Sequence, residues 1–258
     1  MATGRTFKRW MRVYIDGYDL SGHTRDFGPL NWIYPEIEQL AVMDEVRGVL
    51  LDTPEISPGT LNGIFDNTAL TGIHAALGSA GVLRDVMIPI GIQATPAAGD
   101  PVFMGSFSHS EYKASAAAGD LGLTCPFGKT SPSQAMLYDQ PWGVLLHAKA
   151  AVTDVNDQAG IDDNGASSAK GGWMMYQLLS ATGTGTIIMK IQDAATNADG
   201  SFADLSGATS GEIADTAAPT SGIVQLGITA TVRRYLRWQV VLDGITSATF
   251  ALSFVRGR

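Results

Sequence analysis

The residues of this sequence best suited to chemistry are four histidines and one cysteine. No two histidines stand at an HxH or HxxxH spacing, and none lies near the cysteine, so no local motif builds a metal cage. A single cysteine also excludes an intrachain disulfide and a cysteine-based zinc cluster. We therefore predict no metal-binding residue in this set, whose members are His23, His74, His109, His147 and Cys125.

Two short segments approach catalytic or phosphate-binding motifs without meeting their requirements. In "GSFSHS", Ser108 and Ser110 flank His109, but in a strand these two serines face away from the histidine. No GxSxG nucleophile elbow occurs in the chain. The run "FGKTSPS" at residues 127–133 lacks the first glycine of the GxxxxGK[ST] phosphate loop. We predict no catalytic residue and no cofactor-binding residue, and hence a protein that is not an enzyme.

Two acidic loops and one arginine-rich strand leave binding alternatives open. The loops could collect oxygens for Ca²⁺, but neither follows the D-x-[DN]-x-[DN]-G pattern, and the same residue types are common in turns. The strand could bind nucleic acid through charge and stacking, or it could present one arginine-bearing face to another subunit. No pattern selects a carboxylate pair for glycoside hydrolysis. The loop acids are Asp154, Asp157, Asp162, Asp163, Asp193, Asp199 and Asp204, and the strand residues are Arg233, Arg234, Tyr235, Arg237 and Trp238.

Composition and charge favour a β-rich protein that assembles. Of 258 residues, 30 are glycines and only 16% are charged, against about 25% in an average soluble domain. The net charge is −8, but residues 1–12 and 233–258 each carry +4, which leaves −16 for residues 13–232. Opposite patches could pair copies head to tail, although two solvated basic tails explain the ends equally well.

The sequence contains no signal for a membrane or for export. No apolar run approaches the roughly 18 residues that span a bilayer. The basic N-terminus is not followed by an apolar segment, as a signal peptide would be. We expect a soluble protein of a reducing compartment with no membrane partner.

The first residues predict an arm followed by a hairpin. Residues 1–11 are polar and basic, with Phe7, Trp10 and Met11 as possible anchors. Asp16-Gly17 then stands between two apolar runs, which is a strong short-range signal for a β-hairpin. We expect this hairpin to reach toward a neighbouring subunit.

The next segments predict one or two helices around a loop. Pro35, followed by acidic residues and by apolar residues at helical spacing, predicts a helix over part of 36–50, although residues 49–51 could equally begin a strand. The proline- and glycine-rich segment 52–67 predicts a well-packed loop. "ALTGIHAALGSAG" predicts a second, shorter helix near residues 70–77, ended by Gly78.

From residue 84 onward, short β-type runs recur with turn signals between them. This spacing is typical of a sandwich or barrel. The alternation of Phe250, Leu252 and Phe254 predicts a half-buried strand. Segments 103–128 and 225–257 share a layout of long strand, Gly-Asp or Asp-Gly turn and closing strand, which could mean two related β-domains.

We accordingly predict a mainly β protein with three parts. Residues 1–11 form an N-terminal arm, and residues 12–138 form a β-sandwich or barrel with one or two flanking helices. Residues 139–258 form a second all-β, sandwich-like domain, and the segment at 130–143 is the boundary.

One resemblance covers roughly residues 10–130. The order of "RVYIDGYDLSGHTRDFGPLNW", "ISPGTLNGIFDN" and "FMGSFSHSEYKASAAAGDLGLTCPFG" resembles the major tail (tail tube) proteins of long-tailed bacteriophages. The resemblance implies a virion protein of the tail, made in the host bacterial cytoplasm and without catalytic residues or cofactors. It implies rings, hexameric or trimeric, that stack into a tube with other virion tail proteins. Genomic DNA would pass through the acidic lumen without specific binding.

Other assignments stay open beside this one. A capsid decoration protein or a head–tail joining protein would share the same low charge and many short strands. A carbohydrate-binding or adhesive β-module is suggested by Trp173, Tyr176 and Trp238 in the C-terminal strands. The residues alone favour a self-assembling β-protein whose edge strands pair between subunits.

Overall fold

Antiparallel strands account for most of the described chain. The computed structural model describes residues 8–39, 48–52, 54–69, 71–117, 120–130, 140–153, 160–162 and 166–257. The first strands are β1 (Tyr14–Ile15), β2 (Tyr18–Asp19), β3 (Thr24–Gly28), β4 (Asn31–Ile33), β5 (Glu36–Gln39), β6 (Gly48–Leu51), β7 (Glu55–Ser57) and β8 (Thr60–Ile64). Helix α1 (Ile73–Leu77) follows, and then β9 (Val82–Pro89), β10 (Pro101–His109), β11 (Lys113–Ala117), β12 (Asp120–Thr130) and β13 (Trp142–Val152). The last strands are β14 (Ile161–Asp162), β15 (Gly172–Ala194), β16 (Ala203–Thr209), β17 (Ile213–Ala214), β18 (Thr220–Gln225) and β19 (Tyr235–Arg256).

One continuous ladder links the two halves of the chain. Its order is β16-β15-β19-β13-β10-β12-β8-β3, and β1, β2 and β9 join it beside β10. The mainly β fold is therefore confirmed. The ladder crosses the predicted boundary where Val102 of β10 pairs with Gly143 of β13. Residues 131–139 lie outside the described chain, so the division into domains at 138/139 stays a prediction. Among the described residues, no helix has the length and apolar character needed to cross a membrane.

Alternating side chains of the central strands face two different cores. In β10, Phe103 and Phe107 enter the core of the N-terminal half, which α1 also covers. Val102 and Met104 point to the other side, where they meet residues of β15 and β19 in a core between the halves. This alternation is the ordinary consequence of a strand's two-residue period. Both faces of β10 are therefore covered by apolar side chains.

Strands β15 and β19 form one long bent pair, which we call the covered ribbon. The register runs from Gly172↔Arg256 to Ala194↔Tyr235, with shifts around Gly183. At the bend Gly183, Gly185 and Gly244 take positive φ values, and Gly185 stands so close to the backbone of Asp243 that no Cβ would fit. The Asp243-Gly244 turn expected from the sequence is thus a bulge within a continuous strand. The layout that suggested an internal repeat does not hold there.

The bend folds the covered ribbon over its own core. Trp238 from one half meets Phe250 from the other, with ring centroids 5.6 Å apart and an edge-on geometry. Residues Phe250 to Val255 are all buried. The sequence predicted a half-buried strand at this place, and that prediction is wrong because apolar cores cover both of its faces.

The Asp16-Gly17 hairpin is confirmed, but its surroundings are not those expected. Both residues have positive φ, 51° and 83°, as a type I′ turn requires. The Gly17 amide donates a hydrogen bond of 2.6 Å to Oε1 of the buried Gln177 in β15. The Asp16 carboxylate accepts bonds of 2.8 Å from Arg84 and from the Asp85 amide. The turn is therefore held against its own chain by these bonds, and its contact with a neighbouring subunit stays a prediction.

Two of the predicted N-terminal elements are replaced by strands. Residues 36–39 and 48–51 pair as antiparallel strands. The helix predicted over part of 36–50 is therefore wrong for these residues, the alternative strand at 49–51 is confirmed as β6, and residues 40–47 lie outside the described chain. The loop predicted over 52–67 contains β7 and β8. Apolar residues spaced for a helix face here satisfy cross-strand pairs, as in Ile37↔Leu50. The short helix near 70–77 is confirmed as α1, and the Gly78 amide closes it by donating to the carbonyl of His74.

The end of the predicted arm belongs to the folded body. Residues Lys8–Trp10 form a 3₁₀ turn, and Met11 makes a β-bridge with Ile90. The Gly91 amide donates to the carbonyl of Trp10 over 3.0 Å. The first seven residues lie outside the described chain.

Candidate assembly surface

Four of the strands form two successive antiparallel pairs, which together make one extension. We call it the exposed ribbon (residues 31–39, 48–52 and 54–57). Strand β4 pairs with β7, and β5 pairs with β6, all antiparallel. The two pairs are joined near the prolines, where the Asp52 amide donates to the carbonyl of Pro35 over 2.8 Å. Neither pair has a ladder partner among the other described strands.

The exposed ribbon holds an unusual share of the uncovered apolar surface. Six of the twelve large apolar side chains that are exposed in the described chain belong to it. Single exposed apolar residues are ordinary, whereas a contiguous group marks an interaction site. The six are Trp32, Ile33, Tyr34, Ile37, Leu50 and Leu51, with exposures from 37% to 68%.

Both faces of the exposed ribbon carry apolar side chains. Residues directly opposite on paired strands share a face, so Ile37 and Leu50 lie together on one face. Leu51 lies on the other face, opposite Glu36. A two-stranded ribbon is marginally stable in water unless further structure covers it. The exposed ribbon therefore carries apolar side chains on two faces that no other described strand covers.

The base of the exposed ribbon is fixed to the body. Ile56 is buried in the N-terminal core, and the Ser57 hydroxyl donates to the carbonyl of Phe127 over 2.9 Å. Gly59 has φ of +76°, and a Cβ there would lie 2.7 Å from the nitrogen of Pro29. Only glycine can occupy this close crossing of the two chain segments without strain. The extension is thus held at its base while its outer strands are exposed.

A second surface lies beside the start of the hairpin, which we call the basic cleft. Its volume is about 340 Å³, and its lining includes four cations and no carboxylate. Arg12 bonds only to neutral acceptors, the carbonyl oxygens of Arg9 and Met11 and the hydroxyl of Thr95. The lining residues are Lys8, Arg9, Met11, Arg12, Val13, Ser21, Thr24 and Arg25. A cleft of this composition suits an anionic group with an apolar neighbour.

The four histidines lie in four separate places. His23 is 3.5 Å from Asp66, and His74 is 2.8 Å from the hydroxyl of Tyr112. His109 is buried and stacks on Phe127. No group of three His, Cys, Asp or Glu side chains that could hold a metal occurs among the described residues.

Two of the candidate groups are buried in ways that suppress their reactivity. Burial raises the pKa of the Cys125 thiol to about 12, so the thiolate that would act as a nucleophile is scarce. Burial lowers the pKa of His147 to about 4, and its ring packs between Trp238 and Phe250. Both residues serve packing.

The described acids of the second loop have partners of their own. Asp193 accepts a bond of 2.7 Å from the Arg233 amide, and Asp199 is paired with Arg237. Hydrogen bonds from Gln192 and Lys190 lower the pKa of Asp204. The acids of the first loop, Asp154, Asp157, Asp162 and Asp163, have side chains outside the described part of the chain.

The aromatic and arginine candidates for ligand binding lie largely in the interior. Trp173 and Trp238 are 6% and 1% exposed, so neither offers a ring face to a sugar or a base. Arg237 is buried, donates to Gln192 over 2.7 Å and covers the ring of Phe202. The sequence had placed Arg237 on the face opposite Leu236 and Trp238, but all three residues are buried, so burial does not alternate at this point of β19.

The exposed ribbon was missed as a site because its apolar residues matched a helical spacing. A signal for strands was nevertheless present in Trp32-Ile33-Tyr34, since aromatic and β-branched residues favour strands. Pro35 and Pro54 also stand at corresponding places on the two sides of the segment. A proline next to a strand signal indicates an edge strand, a strand end or a bulge.

Comparisons with known proteins give a likeness in structure and none in sequence. No protein-family model matches the sequence, and no curated protein matches it. Among solved structures, the chain is similar to the SPP1 Dit (gp 19.1) protein, presented as a paradigm of the hub adsorption apparatus in phages that infect Gram-positive bacteria. The alignment covers 95% of this chain and 99% of that one, at 12% identity and a TM-score of 0.32.

Proposed function

We propose that this protein is a non-enzymatic structural component of a bacteriophage tail that assembles with copies of itself. The observation that carries the proposal is the exposed ribbon, because both of its faces carry exposed apolar side chains and a contiguous apolar group of this kind is common at interaction sites. The phage assignment draws on the sequence resemblance of residues 10–130 to tail tube proteins.

The finer form of the proposal is a tail tube. Copies would form rings, the rings would stack, and DNA would pass through the lumen without specific binding. The net charge of −16 on residues 13–232 suits such a wall, because like charge keeps DNA from adhering. Other virion tail proteins would contact the ends of the tube, and the virion tail would be the protein's location.

The test compares assembly of the wild type with that of a ribbon variant. Ile37→Ser combined with Leu50→Ser removes an opposed apolar pair that is 48% and 51% exposed. We expect the wild type to sediment as a large species and to form rings or tubes in negative-stain micrographs. The double variant should stay monomeric with an unfolding free energy within about 0.5 kcal/mol of wild type, as is usual for exposed positions.

A matched control uses apolar residues of similar exposure elsewhere. Leu83→Ser with Ile228→Ser changes side chains that are 52% and 58% exposed but lie outside the exposed ribbon, and it should assemble as the wild type does. A wild type that sediments as a sharp monomer at high concentration contradicts the proposal. Shells or single unstacked rings would favour a capsid decoration or head–tail joining protein over a tube.

A further inference from the structure

We propose that the basic cleft of one copy receives the face of the exposed ribbon that carries Glu36 and Leu51 in a second copy. Successive copies would then join head to tail. The proposal rests on the proposed self-assembly and names the two surfaces that meet. Because the two surfaces differ, the contact is heterologous. Such contacts close into rings or continue as helical filaments, depending on the rotation between copies.

Charge complementarity is the first argument for this pairing. Lys8 is exposed at the cleft, and the bonds of Arg12 to two carbonyls and one hydroxyl leave its positive charge unneutralised by a carboxylate. Among the residues of the exposed ribbon whose side chains are described, Glu36, Asp52 and Glu55 are acids and none is a lysine or arginine. Opposite potentials on two surfaces of one chain steer copies into contact and fix their orientation.

The mixed polarity of the two surfaces is the second argument. Glu36 stands directly across the ladder from Leu51, which is 68% exposed, so the two side chains share a face of the exposed ribbon. The cleft likewise combines cations with the apolar side chains of Met11 and Val13. Carboxylates can therefore meet cations while Leu51 covers apolar surface. Ordinary protein interfaces have this arrangement of apolar centre and polar rim.

The two hydroxyls of the cleft differ in what they can offer an anion. The Thr24 hydroxyl donates to the carbonyl of Leu20, whereas the Ser21 hydroxyl accepts from the Val13 amide and keeps its own hydrogen to donate. Lys8 and Arg12 supply the positive charge, and a carboxylate is the anion that the chain itself supplies.

The experiment reverses the charge on each surface separately and then together. The cleft variant is Lys8→Glu with Arg25→Glu, two exposed positions whose change leaves Arg12 and its three bonds in place. The ribbon variant is Glu36→Lys with Asp52→Lys, also exposed positions. Sedimentation of the full chain is measured across protein concentration, and unfolding midpoints show that each variant is folded.

Each variant alone should assemble at least about tenfold more weakly than the wild type, because like charges meet at the contact. An equimolar mixture of the two should regain assembly, since each then finds a partner of opposite charge at both of its surfaces. The chain with all four changes should assemble as well. Recovery by mixing is a result that misfolding or general loss of charge would not produce.

Two control variants reverse the same number of exposed charges elsewhere. Lys113→Glu with Lys170→Glu and Glu111→Lys with Glu212→Lys lie outside both surfaces and should assemble like the wild type. If the cleft and ribbon variants also assemble normally, or if mixing restores nothing, this pairing is overturned while the proposed function stands. A wild type that never assembles overturns the proposed function and the pairing together. A cleft variant that assembles normally but loses retention on double-stranded DNA would assign the cleft to nucleic acid and overturn the pairing.

Discussion

The covered ribbon and the exposed ribbon are both built from antiparallel strand pairs. The covered ribbon belongs to the main sheet, whereas the exposed ribbon has no ladder partner among the other described strands. Phe250 and Leu252 in the covered ribbon are completely buried, whereas Leu50 and Leu51 in the exposed ribbon are 51% and 68% exposed. Residue type does not distinguish them, because both ribbons are rich in leucine, isoleucine and aromatic residues. The difference is what lies against their faces.

The breaks in the two ribbons explain this difference. Glycines 183, 185 and 244 let the covered ribbon bend, so that its halves bury each other. Prolines 35 and 54 interrupt the exposed ribbon, because a proline cannot donate to the ladder. A two-stranded ribbon is only marginally stable by itself in water, and under the proposed function a second copy supplies the cover. Substitutions in each ribbon, and at the contact between the N-terminal half and the covered ribbon, test this difference.

The largest effect is expected where the Asp16-Gly17 hairpin sits on the covered ribbon. Gly17→Val places a β-branched residue at φ of +83°, with its Cβ 2.6 Å from the carbonyl oxygen of Leu178. Backbone strain and overpacking together should lower the free energy of unfolding by about 2–6 kcal/mol, measured by urea unfolding. Gly81→Val is the control, because Gly81 has φ of +80° but nothing within 4 Å of the added Cβ. Equal losses in both variants would show that the hairpin does not pack on β15.

Removing apolar volume between the two halves of the covered ribbon should lower the free energy of unfolding nearly as much. Leu252 is completely buried in the covered ribbon, and Leu252→Ala leaves a cavity among well-packed side chains. We expect a loss of about 2–5 kcal/mol in the free energy of unfolding. A loss below about 1 kcal/mol would mean that the ribbon is not covered as described.

The free energy of unfolding should depend on pH because His147 is buried in the core of the covered ribbon. The pKa of His147 falls from 6.5 to about 4 on folding because of burial, so the unfolded chain binds the proton more tightly. Stability is therefore full above pH 6.5 and is lost as the pH falls toward 4. Between neutral pH and about pH 5, His147 should account for a loss of about 2 kcal/mol. In His147→Gln this part of the slope should vanish, and an unchanged slope would place the titration elsewhere.

The sequence predicts those elements whose signals lie in a few consecutive residues. The hairpin depends on Asp16 and Gly17 alone, and α1 depends on a few consecutive residues, so both were predicted from neighbours in the chain. The bond from Gly17 to Gln177 joins positions 160 residues apart, and no local pattern contains it. The strands of the exposed ribbon were not predicted for a related reason, since Ile37 and Leu50 fit a helix face as well as a cross-strand pair. The general use of strand edges for assembly was expected, but the surface itself was assigned to the arm and the hairpin.

The smallest effect is expected from the matched change in the exposed ribbon. Leu50→Ala makes the same substitution as Leu252→Ala, but at a side chain that is 51% exposed beside Ile37. In the monomer it should change the free energy of unfolding by less than about 0.5 kcal/mol, because little apolar area is taken from water there on folding. In assembled protein the same variant should weaken association, since that area is then buried against a neighbour. Urea unfolding of dilute monomer and sedimentation of concentrated protein separate the two effects. A large loss of monomer stability would show that the ribbon is covered within its own chain, and its apolar residues would then no longer require a second molecule.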